Sequence, residues 1–503
     1  MKYERQFQIA ALIAVILIYA AARFWRLTDS CLWFDEIFSV HAAEHSWNTI
    51  FFFIALDLIH PPLFYFLLKL WIGVGGESLV WLRLFPVVFS VVAVIPFLLF
   101  CRELNIRRWT AIVALFLFSV NGSLIKYAQE VRMYSLLMCL SLFSMWLFAR
   151  YFVKGKSLIP LLLVNVLMVY THYFGWFVVL SEVALIVWFQ RIKWRRIVVM
   201  FAITFAAFIP WLVAVVFAAG YGSGLAQNIG WMSRPGIREL VTFVFNIVEP
   251  FYYQSSSSQP ISTFAVTLPL LLIILVIGGI FLVRLRHLEP DDLTTVKLLA
   301  VFTLLPVFVA FGASWILPHS IWGTRHLALV FAPSCLLAAT ALTINSGRWF
   351  SQLAAGAIVL VCGIAFMLRA SQEPPQYSWC VWEPLAIRAA ESDPQVPIYS
   401  FEDLAAYHLW FALRNSKSQV VKIDDMAGVR EDKAYFLPRG FEAIKRVQFR
   451  EVTADRLWLA FRSRNVSETE PPVRDFMVAG YQIADRQMVR AGSEEVVMFL
   501  LEK

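Results

Sequence analysis

What most constrains this chain is a series of apolar runs, each about 20 residues long. "FQIAALIAVILIYAAA" (7–22) is the first of them. A bilayer core about 30 Å thick needs roughly 20 mainly apolar residues to cross it as a helix. A helix is also the form in which a segment meets its own backbone hydrogen bonds without water. On that measure spans fall at about 6–22, 79–101, 109–125, 133–150, 157–173, 175–190, 196–218, 264–284, 297–317, 326–345 and 349–369, eleven in all. Composition agrees: 60% hydrophobic residues against 16% charged excludes an ordinary soluble domain.

Charge divides the chain. Residues 1–370 hold 26 Lys and Arg against 15 Asp and Glu, a net +11, whereas residues 371–503 hold 17 against 20, a net −3. We therefore expect a membrane domain over 1–370 and a small separate domain over 371–503. The basic residues gather in short loops, "RELNIRR", "RYFVKGK", "QRIKWRR", "RLRH" and "SGRW", and at Lys2 and Arg5. The positive-inside rule assigns these loops and the N-terminus to the cytoplasm. An odd number of spans then puts the C-terminal domain outside. Basic residues confined to short loops do not make a nucleic-acid surface.

The outer face is where the chain invests its length, in residues 23–78, 219–263 and the tail. Its first loop carries "CLWFDEIFSV" (31–40), with Asp35 and Glu36 set between apolar residues. "SWNTIFFFIALDLIHPPLFYFLLKLW" (46–71) follows, which reads as an interfacial helix, a break at His60-Pro61-Pro62 and a second aromatic helix. Carboxylates held near lipid are functional candidates, although most loop acids are simply solvated. The same face carries Asp57 and His60, then Lys126, Glu130, Arg132 and Tyr134 of "KYAQEVRMYSL", His172 of "YTHYFGWF", and His319, Arg325 and His326 around "GTRHL". Lys69 and Arg83 flank the aromatic helix. Structural ion pairs and snorkelling chains are the plainer reading of each. Glu182, inside a span, reads as a buried hydrogen-bonding group. Of the six cysteines only Cys31 and Cys380 lie outside, which leaves a disulfide between them open.

Carboxylates suit a general base or a metal ligand, and arginine forks suit a phosphate. A lipid-linked phosphosugar joins those needs: tail in the bilayer, phosphate at the interface, sugar outside. A transporter or flippase would place charges along mid-span and show repeats with broken helices. An outer-face scaffold would not need Asp35, Asp57, Arg132 and Arg325 together. Beyond residue 370, "VPIYSFEDLAAYHLWFAL" reads as strand then helix, and "SQVVKIDD", "KAYFLP", "RLWLAFRS" and "EEVVMFLLEK" as strands, giving a small α/β domain that packs as a lid. "SSSSQP" (255–260) reads as a mobile segment that closes over substrate.

The order "WFDE", "HPPLFYFLLKLW…GGES…LRL", "KYAQEVRMYSLL", "YTHYFGWF", "GTRHL…AP" resembles the bacterial protein-mannosyltransferase-like glycosyltransferases and the similar lipid A aminoarabinose transferases. The likeness spans roughly residues 5–345. It implies the GT-C fold, a polyprenyl-phosphate-sugar donor, and inverting transfer on the extracytoplasmic face of the inner membrane to a protein, lipid or glycan acceptor. By that resemblance Asp35 is the base, and Glu36 orients it or contacts the acceptor. Arg132 and Arg325 meet the donor phosphate, with Lys126, Lys69 and Arg83 behind them. Glu130, Tyr134, His172 and His326 border the donor and acceptor region. Asp57 and His60 sit near the donor and would be the ligands of a divalent metal, whose requirement stays open. An oligosaccharide-transferring ligase is the nearest alternative enzyme.

Overall fold

A computed structural model describes residues 2–189, 194–221, 229–251, 263–344, 348–374, 376–426, 436–464 and 466–503. Its helices follow the apolar runs. Among the described residues eight are long and apolar enough to cross a membrane, beginning with Tyr3–Phe24 and ending with Trp349–Ala370. Three further expected spans are the shorter apolar helices Arg108–Val120, Ile159–Thr171 and Gly175–Phe189. The protein is a polytopic α-helical membrane protein.

Local chemistry explains where helices break. The run 79–103 divides into α5 (Leu79–Val92) and α6 (Val94–Glu103). Pro96 has no N–H to give the carbonyl four residues back, and its ring crowds that turn. The expected span 109–125 is not continuous. It ends as α7 (Arg108–Val120), and Asn121 opens α8 (Gly122–Gln129) by accepting a hydrogen bond from the Leu124 N–H at 2.9 Å. The buried Arg23 guanidinium donates to the Phe118 carbonyl at 3.1 Å, satisfying an end of α7 that would otherwise be orphaned.

The first long connection holds the two helices expected on either side of His60-Pro61-Pro62, and adds a third, earlier one over the "WFDE" stretch. It forms α2 (Phe34–Glu44), α3 (Ile50–Asp57) and α4 (Leu63–Gly75). Phe34, Ile37, Phe38 and His41 recur at helical spacing and are all buried. α3 ends at Leu58, which takes a left-handed φ of 63°. His60 before Pro61-Pro62 then cannot continue the helix.

Beyond Ala370 lies a six-stranded sheet, ordered β3-β2-β1-β4-β6-β5. Its strands are β1 (Ile398–Ser400), β2 (Val420–Ile423), β3 (Lys445–Val447), β4 (Arg456–Ser463), β5 (Gln482–Ala491) and β6 (Glu494–Glu502). The first four pair in parallel and the last two antiparallel. Residues 436–438 of the expected "KAYFLP" strand form none, and its first three residues lie outside the described set, as does "SSSSQP".

The sheet domain sits on α2 and α3. Cys31 and Cys380 form a disulfide. Helix Asp403–Leu413 packs along α2, where Phe34 meets Tyr407 with ring centroids 5.1 Å apart. Tyr407 Oη and His41 Nδ1 are hydrogen-bonded at 2.9 Å. Arg439 donates to the Leu56 carbonyl at 3.0 Å, a cation at the carbonyl end of α3.

Candidate active site

One face of α2 thus belongs to the sheet domain, and the other faces the membrane helices. Asp35 and Ser39, one turn apart, lie on that second face. Arg132 NH1 donates to the Asp35 carbonyl at 3.0 Å and to Ser39 Oγ at 3.2 Å. The Asp35 carboxylate pairs with Arg325 NH1 at 3.1 Å, and both side chains are about a quarter exposed. Arg325 also lies over the Trp33 ring, 5.6 Å from its centroid.

Arg132 reaches on to His60, with NH2 to Nε2 at 3.2 Å, and His60 Nδ1 meets Asp57 Oδ2 at 2.9 Å. Asp57, His60, Arg132, Asp35 and Arg325 are therefore one connected network drawn from four separate segments. Burial pushes the Asp57 carboxyl up to about 6, against the opposing pull of Arg132 and Arg439. Burial, with Arg132 beside it, drives the His60 imidazole well below its usual range, so it is neutral near pH 7.

Two more histidines stand beside His60. The His172 ring is 5.7 Å from His60, and His326 is 5.2 Å from His172. Gly323 makes room for His326: a Cβ there would lie 2.9 Å from its Nδ1. Around this group several buried polar atoms have no partner among the described residues, namely Tyr65 Oη, Tyr134 Oη, Arg132 Nε, His172 Nε2 and His326 Nδ1. Buried polar groups are ordinarily satisfied, so a cluster of unsatisfied ones points to a polar ligand or water. Tyr65 is a member that sequence reasoning passed over. Its position within the aromatic "LFYFLLKLW" run hid it, although a tyrosine amid phenylalanines was a usable signal.

Other expected site residues take different places. Glu36 accepts from the Trp33 N–H at 3.0 Å and the Val131 N–H at 2.8 Å, tying the start of α2 to the turn that carries Arg132. Arg83 donates to the Leu27 carbonyl at 2.6 Å, the Cys31 carbonyl at 2.9 Å and Ser30 Oγ at 3.1 Å, which pins the same loop. Lys69 is at the far end of α2, bonded to the Ala43 and His45 carbonyls at 3.0 and 2.6 Å, so it caps the helix. Lys126 and Glu130 pair at 3.5 Å. Glu182 bonds Ser144 Oγ and Asn165 Nδ2 at 2.6 and 2.7 Å, a closed structural contact.

A divalent metal on Asp57 and His60 does not fit. Both ring nitrogens of His60 are engaged, and a guanidinium 3.2 Å from Nε2 repels a cation there. Among the described residues no group of three His, Cys, Asp or Glu could hold an ion.

Beside the network opens a cavity of about 1550 Å³, lined by Glu36, Arg83, Lys126, Glu130 and Arg325 from the membrane part and by Tyr377–Trp379 and Arg490–Glu494 from the sheet domain.

Helices around a buried polar network, with a sheet domain beyond them, match the GT-C fold, and the comparison with solved structures bears this out. ArnT from Cupriavidus metallidurans is similar over 98% of both chains in its crystal structure bound to undecaprenyl phosphate, with a TM-score of 0.58 at 12% identity. Its apo crystal structure gives 0.55 at 14%, over 99% of this chain and 98% of that one. The archaeal oligosaccharyltransferase AglB from Archaeoglobus fulgidus, in complex with an inhibitory peptide and a dolichol-phosphate, gives 0.50 at 13%, over 82% and 64%. No family model matches the sequence, and neither does any curated protein. Identities this low establish the fold and leave the chemistry to the site.

Proposed function

We propose that this protein is an inverting glycosyltransferase that moves a sugar from a polyprenyl-phosphate-sugar to an acceptor hydroxyl on the extracytoplasmic face of the membrane. The observation that carries the reading is the Asp35 carboxylate, held beside the Arg132 and Arg325 guanidiniums and ringed by unsatisfied buried donors. The ArnT match, bound to undecaprenyl phosphate, supports a lipid-phosphate donor.

In this reaction Asp35 takes the acceptor hydroxyl proton as the oxygen attacks the anomeric carbon. The bond from that carbon to the phosphate oxygen breaks, and its electron pair leaves with the lipid phosphate. A single displacement inverts the configuration. Arg325 has five N–H donors, and one of them bonds the Asp35 carboxylate. An entering phosphate competes for that fork and frees the carboxylate. The unsatisfied Tyr65, Tyr134, His172 and His326 atoms are the groups we assign to the sugar hydroxyls. The N-terminus is cytoplasmic and the sheet domain extracytoplasmic. The disulfide that ties that domain to Cys31 suits an oxidising compartment.

The test is transfer of labelled sugar from synthetic polyprenyl-phosphate-sugars by wild type and Asp35→Asn at matched expression. Loss of the base lowers the rate by about 10²–10⁴. Equal transfer by both proteins would remove Asp35 from this role.

A further inference from the structure

The cavity beside Asp35 is walled by two separate parts of the chain, and its lining is chemically particular. Seven aromatic side chains line it: Trp25, Trp33, Tyr127, Trp231, Trp322, Tyr377 and Trp379. Between them stand acids and bases in nearly equal number, Asp29, Glu36, Glu130, Glu239, Glu373 and Glu494 against Arg26, Arg83, Lys126, Arg238, Arg325, Arg369 and Arg490. A groove for a lipid tail would be apolar throughout, and a site for a strongly anionic headgroup would carry one sign of charge. Neither describes this wall. Flat aromatic faces interleaved with hydrogen-bonding groups of both signs match a sugar chain, whose rings offer C–H faces for stacking and hydroxyls at their edges.

Two further observations point to a ligand. Trp33 Nε1, two residues from Asp35, and Glu130 Oε2 are buried atoms of lining residues with no hydrogen-bond partner among the described residues, a donor and an acceptor. The volume, about 1550 Å³, exceeds the roughly 300–1,000 Å³ usual for a small-molecule pocket, leaving room for several sugar rings. The sheet domain's share is held in register covalently. Tyr377 and Trp379 stack with centroids 4.3 Å apart and planes 8° from parallel, directly before Cys380, whose disulfide reaches Cys31 next to the Trp33–Asp35 segment.

We infer that the acceptor is a non-acylated saccharide of more than one unit, bound across this cavity with the Trp379 and Trp231 rings as stacking platforms. The inference rests on the glycosyltransferase reading above and names its acceptor class. It makes the sheet domain one wall of the acceptor site, beyond its role as a lid.

The test uses full-length protein in nanodiscs and two independent readouts. The first is saturation-transfer NMR with three probes: linear hexose pentasaccharides, a hydroxyl-rich Ser/Thr peptide, and a diacylated glucosamine disaccharide. Saturation should reach the C–H protons of the pentasaccharides, fall at least 5-fold in Trp379→Ala and Trp231→Ala, and return in Trp379→Phe. The second is slow release of polyprenyl phosphate from a polyprenyl-phosphate-sugar in water, read in wild type. Saturation of the peptide or the acylated disaccharide alone overturns the inference, as do no saturation of any pentasaccharide and saturation indifferent to both Trp→Ala variants. Absence of polyprenyl phosphate release in wild type instead overturns the glycosyltransferase reading, whichever probe binds.

Discussion

Arg325 is where charge and geometry are most tightly joined. Its planar fork can hold a carboxylate and a phosphate oxygen in turn, which an ammonium cannot do with the same directionality. We expect Arg325→Ala to lower kcat/KM by about 10²–10³, the usual scale for losing one donor to developing charge, and Arg325→Lys to recover only part of it. Steady-state kinetics with a defined donor measures both. Asp57 gives a second prediction, about stability. Burial holds its folded carboxyl at about 6, above the ordinary 3.8. Between those values the folded protein binds the proton that the unfolded chain has lost, so this group's contribution to stability falls as pH rises from about 4 to about 6. The full displacement is worth about 3 kcal/mol in favour of the neutral form. Asp57→Asn should therefore match or exceed wild-type Tm at pH 7 and lose that margin near pH 4, read from melting curves across that range. The candidate acids and arginines were legible as residue types near one face. The role of Lys69 was not, because carbonyls at residues 43 and 45 become its partners only when α4 packs on α2.

α2 is the element on which the protein turns, with the Asp35–Arg132–Arg325 network on one side and the sheet domain on the other. His41 sits on the sheet-domain side, among His45, Arg414, Trp410 and Tyr407, and burial lowers its imidazole to about 3. The unfolded chain protonates this group near 6.5 and the folded chain does not until about 3, so its stabilising share is complete above 6.5 and is lost as pH falls toward 3. Hydrogen exchange across residues 403–413 should therefore quicken as pH drops from 7 to 5, after correction for intrinsic exchange. His41→Gln should flatten that dependence. The 3–4 spacing of Phe34, Ile37, Phe38 and His41 was present in the sequence. It was hard to read as a helix because the run is 11 residues long and its N-cap is Trp33, which offers no capping hydroxyl or carboxylate.

Across the whole molecule the membrane part and the sheet domain are joined by the Cys31–Cys380 disulfide, 349 residues apart in the chain, and by the α2 interface. Replacing both cysteines with serine should destabilise the protein by roughly 2–4 kcal/mol, the usual contribution of a disulfide, and lower Tm accordingly. Sugar transfer should fall with it, because the loop leading to Asp35 loses one anchor. A maleimide test checks the topology: a cysteine introduced at Lys503 should react from outside the cell, and one at Lys156 only after permeabilisation. Helix count, the change of character near residue 370 and the outer-face candidates followed from the sequence alone. Each depends on hydropathy or charge summed over neighbouring residues. The tertiary structure decided which candidates meet. Asp35, Asp57, Arg132 and Arg325 lie as much as 290 residues apart, and only helix packing brings them within hydrogen-bond reach. It also decided that Glu36, Arg83 and Lys69 hold backbone groups and that the sheet domain walls the cavity, since partner choice over long chain separations is a property of packing and leaves no local pattern in the sequence.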